Sequence, residues 1–233
     1  MTVTDALLTP LLRTPSRPLI THYDDEQGSR IELSVATTAN WAAKTANWLR
    51  DECDVEPGAA VAVLLPAHWQ TVGVLLGAWW CGARVTDDPN GAQVLFQPPQ
   101  PIIPGADITA VVALDPLGRG MSAPPPNAYD YLNEARLSGD DFIPGAPLPP
   151  NAKAFLESTV DELVGAARDR ANTLGINSNS RILSTLDWTF PDGLLSGLLA
   201  VLAAGASLVQ CTSADPTKLP DRRRAERTTA DLG

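Results

Sequence analysis

One stretch of the chain occurs twice, and that repeat limits the kind of fold available to it. Residues 39 to 85 and 160 to 208 follow one plan. Each runs through an amphipathic helix, a short turn, an apolar strand, a loop containing Trp, an apolar helix, then Gly-Ala and a second strand. The first copy carries the turn and strand from Val55 to Leu65 and the helix end Leu75-Leu76-Gly77-Ala78-Trp79-Trp80-Cys81-Gly82-Ala83. The second carries Ile176 to Leu186 and Leu198-Leu199-Ala200-Val201-Leu202-Ala203-Ala204-Gly205-Ala206. The same offset separates Val55 from Ile176 and Val61 from Ile182; it is two residues longer between Gly82 and Gly205. A repeated strand-helix-strand unit implies an α/β fold of two pseudo-repeated βα halves, with mainly parallel sheets flanked by helices.

The local pattern supports this. Ala42, Ala46, Leu49 and Cys53 fall on one face of a helix that Ser34 or Thr38 caps. Ala60 to Leu65 is an apolar run suited to a buried parallel strand. Trp69 to Cys81 is apolar nearly all round, so it reads as a core helix, and Gly82 stops it. Ahead of the repeat, Leu19 to Asp24 and Arg30 to Leu33 read as two strands joined by a turn at Asp25 to Gly28. Thirteen of the 21 prolines lie between Pro89 and Pro150, which makes the middle of the chain rigid and loop-like. Two short strands, Val94 to Gln97 and Ala110 to Leu114, and a helix over Asn127 to Leu137 are still expected there. A charged helix is expected over Lys218 to Arg227, with Arg222-Arg223-Arg224 on a solvated face. The resulting division is a first α/β half over 1–122, a proline-rich connection over 123–156 and a second half over 157–233.

Composition excludes several functions. With 44 % hydrophobic and 19 % charged residues the 233-residue chain can bury a core. Its net charge of −10 repels phosphate backbones, so nucleic acid is not an expected partner. Cys53, Cys81 and Cys211 are far apart in apolar surroundings and read as small buried hydrophobes of a reducing compartment. No metal is expected: Asp24-Asp25-Glu26 and Asp87-Asp88 lack calcium-loop spacing and read as solvated turns. No apolar run reaches membrane-spanning length, the apolar pairs near the N-terminus are broken by Pro10, and the expected location is cytoplasmic.

Certain motifs carry a family resemblance. Pro57-Gly58-Ala59-Ala60-Val61-Ala62-Val63-Leu64-Leu65-Pro66 and Ala78-Trp79-Trp80-Cys81-Gly82-Ala83 resemble the early strand and helix end of the adenylate-forming superfamily, which holds acyl-CoA synthetases, adenylation domains and luciferases. Gly197-Leu198-Leu199 and Gly205-Ala206-Ser207-Leu208-Val209 resemble its later leucine-rich helix and strand. The likeness runs from about Tyr23 to Thr229 and is nearest to a short actinobacterial branch with no assigned function. It implies the fold of the N-terminal domain of AMP-binding enzymes. It also shows what is missing. The family's Ser/Thr/Gly-rich phosphate loop, ending in Pro-Lys-Gly, belongs between Phe142 and Ser158. Here the segment Ile143 to Phe155 holds four prolines, which have no N–H to offer a phosphate, one glycine, and a lone Lys153. The loop Leu186 to Gly193 lacks the family's histidine. The adenine-binding strand and the C-terminal domain with the catalytic lysine would lie beyond Gly233, taken as the terminus.

The resemblance therefore implies a degenerate, non-catalytic, truncated relative, a pseudoenzyme acting as a binding or interaction module. No catalytic residues and no cofactor are expected. The alternatives are a residual or split acyl-adenylate or acyl-CoA ligase completed by another chain, for which ATP, AMP or CoA would serve, and a regulatory protein partner with no small ligand. The face that a full-length relative would cover is expected to pair with a second copy or with a protein partner. Ligands of open α/β sheets bind beyond the carboxyl ends of strands. The candidate pocket residues are therefore His68 and Trp69 after the first core strand, with Asp187, Trp188, Asp192 and Gly193 after its counterpart. The competing reading makes both Trp residues plugs in the core. A hydrolase triad from His22 or His68 with Ser184 or Ser196 lacks the Gly-x-Ser-x-Gly elbow and is set aside.

Overall fold

The computed structural model describes residues 1–145, 147–149 and 151–233; Ala146 and Pro150, both within the proline-rich segment read as a lost phosphate loop, lie outside the described residues. The chain divides into two units with interleaved segments. One comprises 1–6, 39–65 and 70–163, the other 7–38, 66–69 and 164–233.

The first unit is built on the apolar run that forms β3 (Ala60–Val63). Its neighbours are β4 (Arg84–Thr86) and β5 (Val94–Gln97), both parallel to it, with Val61 opposite Val85 and Val94. The sheet continues through β6 (Ile108–Val111) to β7 (Tyr129–Asp130) on one side. On the other it ends in the antiparallel hairpin β8 (Lys153–Phe155) and β9 (Ser158–Thr159). The order is β7-β6-β5-β3-β4-β8-β9. Because central strands are covered on both faces, they read as continuous apolar runs, and Val94, Leu95 and Phe96 are fully buried.

Helix α1 (Val3–Leu7) stands near the start of the chain; helix α2 (Val35–Asp51) starts in the second unit and enters the first at Ala39. Ser34 caps it, its Oγ accepting the Thr37 N–H at 3.1 Å. Its predicted face of Ala42, Ala46 and Leu49, with Cys53 beyond its end, is buried. Helix α3 (Trp69–Trp80) follows β3, and Gly82, at φ +89°, turns the chain into β4 as the sequence predicts. Trp48, Phe96 and Tyr131 pack edge to face, with Phe96 and Tyr131 ring centroids 5.4 Å apart. The buried Trp79 indole donates to the Ala154 carbonyl at 2.9 Å. The helix expected over 127–137 is shorter, α4 (Tyr131–Ala135), because Asp130 ends β7 and caps the helix by accepting the Asn133 N–H at 3.0 Å.

The second unit holds a five-stranded sheet. Strands β1 (Pro18–Asp24) and β2 (Ser29–Ser34) form the predicted hairpin. They join β10 (Arg181–Ser184), β11 (Ser207–Thr212) and β12 (Ala230–Leu232) in the order β12-β10-β11-β1-β2. Only β2 runs antiparallel to its neighbour. The hairpin grouped by sequence with residues 1–122 thus pairs with β11, Ile20 lying opposite Leu208. Between β10 and β11 the chain makes a helix in three pieces: α6 (Asp192–Leu194), a π turn (Leu195–Leu199) and α7 (Ala200–Ala203). Helix α5 (Val160–Thr173) precedes β10 and opens on a reciprocal capping box. The Thr159 N–H reaches Glu162 Oε2 at 2.7 Å, and the Glu162 N–H reaches Thr159 Oγ1 at 3.3 Å. The two repeats are therefore two strand-helix-strand units, one in each sheet.

Helix α8 (Leu219–Glu226) lies in the charged segment predicted near the C-terminus. Arg222, expected on a solvated face, is instead buried: its guanidinium pairs with Asp25 in the hairpin turn and stacks 4.3 Å from the Tyr23 ring centroid. Among the described residues no helix is long and apolar enough to cross a membrane.

Candidate functional site

In the second unit the carboxyl ends of β10 and β11 meet the loop Pro66–Trp69, and a cavity of about 270 Å³ lies there. Its wall includes Pro66, Ala67, Leu186, Asp187, Gln210 and Thr212. Strand direction explains the place: carbonyls and loops diverge at the carboxyl edge of a parallel sheet and leave a crevice. The loop after β3 and the loop after β10, paired in the sequence as equivalents, are joined directly. Asp187 Oδ1 accepts the Ala67 N–H at 3.2 Å and its own neighbour's, Trp188, at 2.8 Å.

The polar side chains lining the cavity are Asp187 and Gln210, which offer acceptors, and the hydroxyls of Thr185, Thr212 and Ser213. Gln210 is 1 % exposed; its Nε2 donates to the Leu186 carbonyl at 2.9 Å, and its Oε1 has no hydrogen-bond partner. A buried acceptor left without a donor is costly. Thr212 Oγ1 donates to the Tyr23 carbonyl at 3.2 Å and therefore accepts from His22 Nε2 at 3.0 Å. That assigns the imidazole proton to Nε2 and leaves Nδ1 a buried acceptor, also without a partner. Burial lowers the His22 pKa to about 4 against the opposing pull of Asp24, so the ring is neutral at pH 7. His22 lies behind the wall, and the acceptors of Asp187 and Gln210 suit a small ligand that donates hydrogen bonds.

The sequence-predicted residues divide by position. Asp187 is on the cavity wall and exposed. His68 is buried and meets His22 edge on, the ring centroids 4.4 Å apart. Trp69 is buried beside it, at 5.7 Å, as the first residue of α3. Trp188 is 3 % exposed and lies against the π turn. A β-carbon added at Gly197 would come within 2.8 Å of its Cδ1. Asp192 opens α6 at the surface and faces Arg170 at 3.5 Å. Gly193 passes so close to the Asp187 carbonyl that a β-carbon there would lie 2.5 Å from it. The structure thus brings Asp187, Trp188 and Gly193 together around one loop and sets Asp192 outward. Pro66, Ala67, Gln210 and Thr212 were not singled out from sequence. The strand-end rule points to the first two, but nothing in a strand interior marks Gln210.

The remaining groups are used structurally. Ser184 Oγ accepts the Leu186 N–H at 3.2 Å, and Ser196 Oγ accepts from Arg170 at 2.7 Å. Asp24 closes its own turn by accepting the Glu26 and Gln27 N–H groups, and Asp88 does so with Asn90. Burial pushes the Cys53 and Cys81 thiols up to about 12. Among the described residues no group of three or more His, Cys, Asp or Glu is placed to hold a metal ion.

The segment in the place of the phosphate loop belongs to the first unit. Its described residues form neither helix nor strand from Asp141 to Pro149. One face of α2 straps the approach to it. Lys44 Nζ donates to the Ser138 carbonyl at 2.7 Å, Asn47 Nδ2 to those of Gly139 and Asp141, and Arg50 to that of Ile143 at 3.0 Å. Lys153 is exposed as the first residue of β8.

No protein-family model matches the chain. A Mycobacterium tuberculosis protein described as a TIGR03089 family protein is 43 % identical to it, over 99 % of this chain and 98 % of that one. Among solved structures, an acyl-CoA synthetase of Brucella canis superposes with a TM-score of 0.81 at 15 % identity, over 99 % of this chain and 47 % of its own. The anthranilate CoA ligase AuaEII, solved with anthranoyl-AMP, gives 0.78 at 16 %, over 100 % and 49 %. The fatty acyl-adenylate ligase of L. pneumophila, solved with acyl adenylate and pyrophosphate, gives 0.69 at 15 %, over 99 % and 44 %. The chain spans about half the length of each of these solved proteins, and at such identities the likeness is one of fold.

Proposed function

The chain belongs to the TIGR03089 family and has the fold of the N-terminal domains of adenylate-forming enzymes, and from that premise we propose that it is a non-catalytic binding module. It keeps a small polar cavity at the strand ends, and its described residues form no cradle for ATP phosphates. The observation that carries this reading is the segment from Phe142 to Pro149. A phosphate loop works by aiming several consecutive backbone N–H groups at one anion. Here Pro144, Pro147 and Pro149 have no N–H, and Lys44, Asn47 and Arg50 tie the chain ahead of them to α2. In the cavity of the second unit, Asp187 and Gln210 supply the acceptors for a ligand with hydrogen-bond donors. The module works in the cytoplasm.

A ligase completed by a second chain is the other reading, and the half-length match to solved ligases favours it. ATP–pyrophosphate exchange with acyl substrates separates the two when it is run on the purified chain and again with a lysate of the source organism added, since a split ligase gains exchange only in the second case. The expected result is no exchange above blank; exchange by the purified chain alone would overturn the non-catalytic reading. Thermal shifts with Mg-ATP, AMP, CoA and a stable acyl-adenylate analogue test the cavity. A ligand at a hundred times its dissociation constant stabilises by about 2.7 kcal/mol, a shift of about 5–10 °C for a chain of this size. Asp187→Asn keeps an acceptor for the Ala67 and Trp188 N–H groups and removes the charge, so it should change the shift of any probe held there, upward for an anionic one, without unfolding the chain. A shift unchanged in that variant would place the probe elsewhere.

A further inference from the structure

The first unit holds a larger cavity of about 490 Å³, within the size range of small-molecule sites. It lies at the amino ends of β3 and β4. The turn before β3 and the turn before β4 are fastened by the Gly58 N–H donating to the Gly82 carbonyl at 2.8 Å. This is the opposite edge from the one at which open α/β sheets ordinarily bind ligands. Its apolar lining comes from Val55, Pro57, Trp80, Phe142 and Leu148, with Phe142 and Trp80 ring centroids 5.7 Å apart.

The charges around it have one dominant sign. Asp5, Asp54 and Glu56 line the cavity, and among the described residues none of the three has a salt-bridge partner. The Asp5 carboxylate is turned toward the aromatic wall, accepting the Trp80 indole N–H at 3.2 Å. Arg50 is the cationic side chain among the lining residues, and it is already engaged. Its Nε and one terminal nitrogen bind both oxygens of Asp51, the same terminal nitrogen reaches Asn47 Oδ1, and the other reaches the Ile143 carbonyl. Its plane covers Phe142 at 4.9 Å. Four of its five donors are spent, so an anion would find one free guanidinium N–H and the Met1 amino group against three carboxylates. A cation would find three carboxylates without an ion-pair partner among the described residues, that of Asp5 held at the edge of the indole by its N–H.

We propose that this cavity binds an amphipathic amine, a single ammonium group on an aliphatic or aromatic body of about eight to ten heavy atoms. The body lies between Trp80, Phe142 and Leu148, and the ammonium lies among Asp5, Asp54 and Glu56. Burial of an apolar body supplies affinity in proportion to its area, and the carboxylates select its charge.

Isothermal titration of the full chain at pH 7 with octylamine and with octanoate tests this, because the two share a body and differ in charge. Octylamine should bind at least tenfold more tightly. Glu56→Lys alters an exposed residue, so the fold stays intact by circular dichroism while octylamine affinity falls at least tenfold and octanoate gains. Asp169→Asn, which removes an exposed carboxylate on α5 away from both cavities, should leave octylamine binding unchanged. Equal binding of the two probes, binding of neither at millimolar concentration, or a Glu56→Lys variant that still prefers the amine would each overturn the proposal.

Discussion

A methyl group added at Gly197 would sit 2.8 Å from Cδ1 and 2.9 Å from Nε1 of Trp188. The indole is buried, and its Nε1 has no hydrogen-bond partner. It therefore sits where packing holds it and makes the back of the loop that carries Asp187. Overpacking of this kind costs about 1–3 kcal/mol, and each kcal/mol moves the Tm of a chain this long by about 2–4 °C. Gly197→Ala should melt several degrees below the wild type. Gly165→Ala is the control, since nothing lies within 4 Å of an added carbon at that helical position; it should melt at or slightly above the wild-type temperature. Equal melting of the two variants would mean that Trp188 is free to move away and does not set the loop. At this scale the sequence marks the right loop, for Asp187 and Trp188 follow an apolar strand. It does not separate the residue facing the cavity from the one facing the core, because adjacent loop residues point to opposite sides without a fixed period.

Helix α8 is fixed to its sheet by two carboxylates. Asp25 takes the Arg222 guanidinium, Lys218 Nζ at 3.1 Å and the Asp215 N–H at 2.7 Å. Glu226 takes the Tyr23 hydroxyl at 2.6 Å, Arg30 Nε at 2.9 Å and Arg181 at 2.5 Å. Burial would raise the Glu226 pKa, but these donors outweigh it and hold the carboxyl down to about 2. Glu226→Gln keeps the shape and removes the charge. Buried hydrogen bonds to charged groups contribute about 1.5–3 kcal/mol, so the variant should melt several degrees lower. Amide exchange in α8 and β12 should quicken more than in β11. Uniform quickening across the sheet would show that the carboxylate serves the whole unit and not the helix. Elements with a full period were legible in the sequence: α2, α3, β3, β5 and the β1–β2 hairpin stand where the pattern puts them. The two- and three-residue strands β7, β9 and β12 were not, since two residues cannot display a period. Arg222 misled for a related reason. Its partner Asp25 is far off in the chain, and a run of arginines carries no trace of it.

For the molecule as a whole, the repeat announced an α/β fold but not which strands share a sheet. The hairpin stands first in the chain and yet pairs with β11, and pairings across that separation leave no local signal. The same pairing buries His22 in the interior of β1, flanked by β11 and β2, and this governs the response to acid. His22 has its pKa lowered to about 4 in the fold, burial outweighing the pull of Asp24, while the unfolded ring titrates near its ordinary 6.5. Between those two pH values the unfolded chain binds more protons than the folded one, so stability falls as pH drops below about 6.5 and the loss levels off near 4. The loss is of the order of 3 kcal/mol at about 1.4 kcal/mol per pH unit. Asp25 and Glu226 act next. Arg222 holds the Asp25 carboxyl well below the usual range, and Glu226 is held near 2. Both are depressed, so their contribution is complete above about pH 4 and disappears as pH falls further. The Tm should therefore be level from pH 8 to 7, decline gently from 6.5 to 4, and drop steeply below 4. His22→Gln removes a group that must give up its proton on folding. It should flatten the segment between 6.5 and 4 and leave the steep acid limb intact, even if the variant starts from a lower Tm. A melting profile with the same slope in both proteins between those values would assign the gentle limb to another group and show that the His22 ring takes up its proton inside the fold.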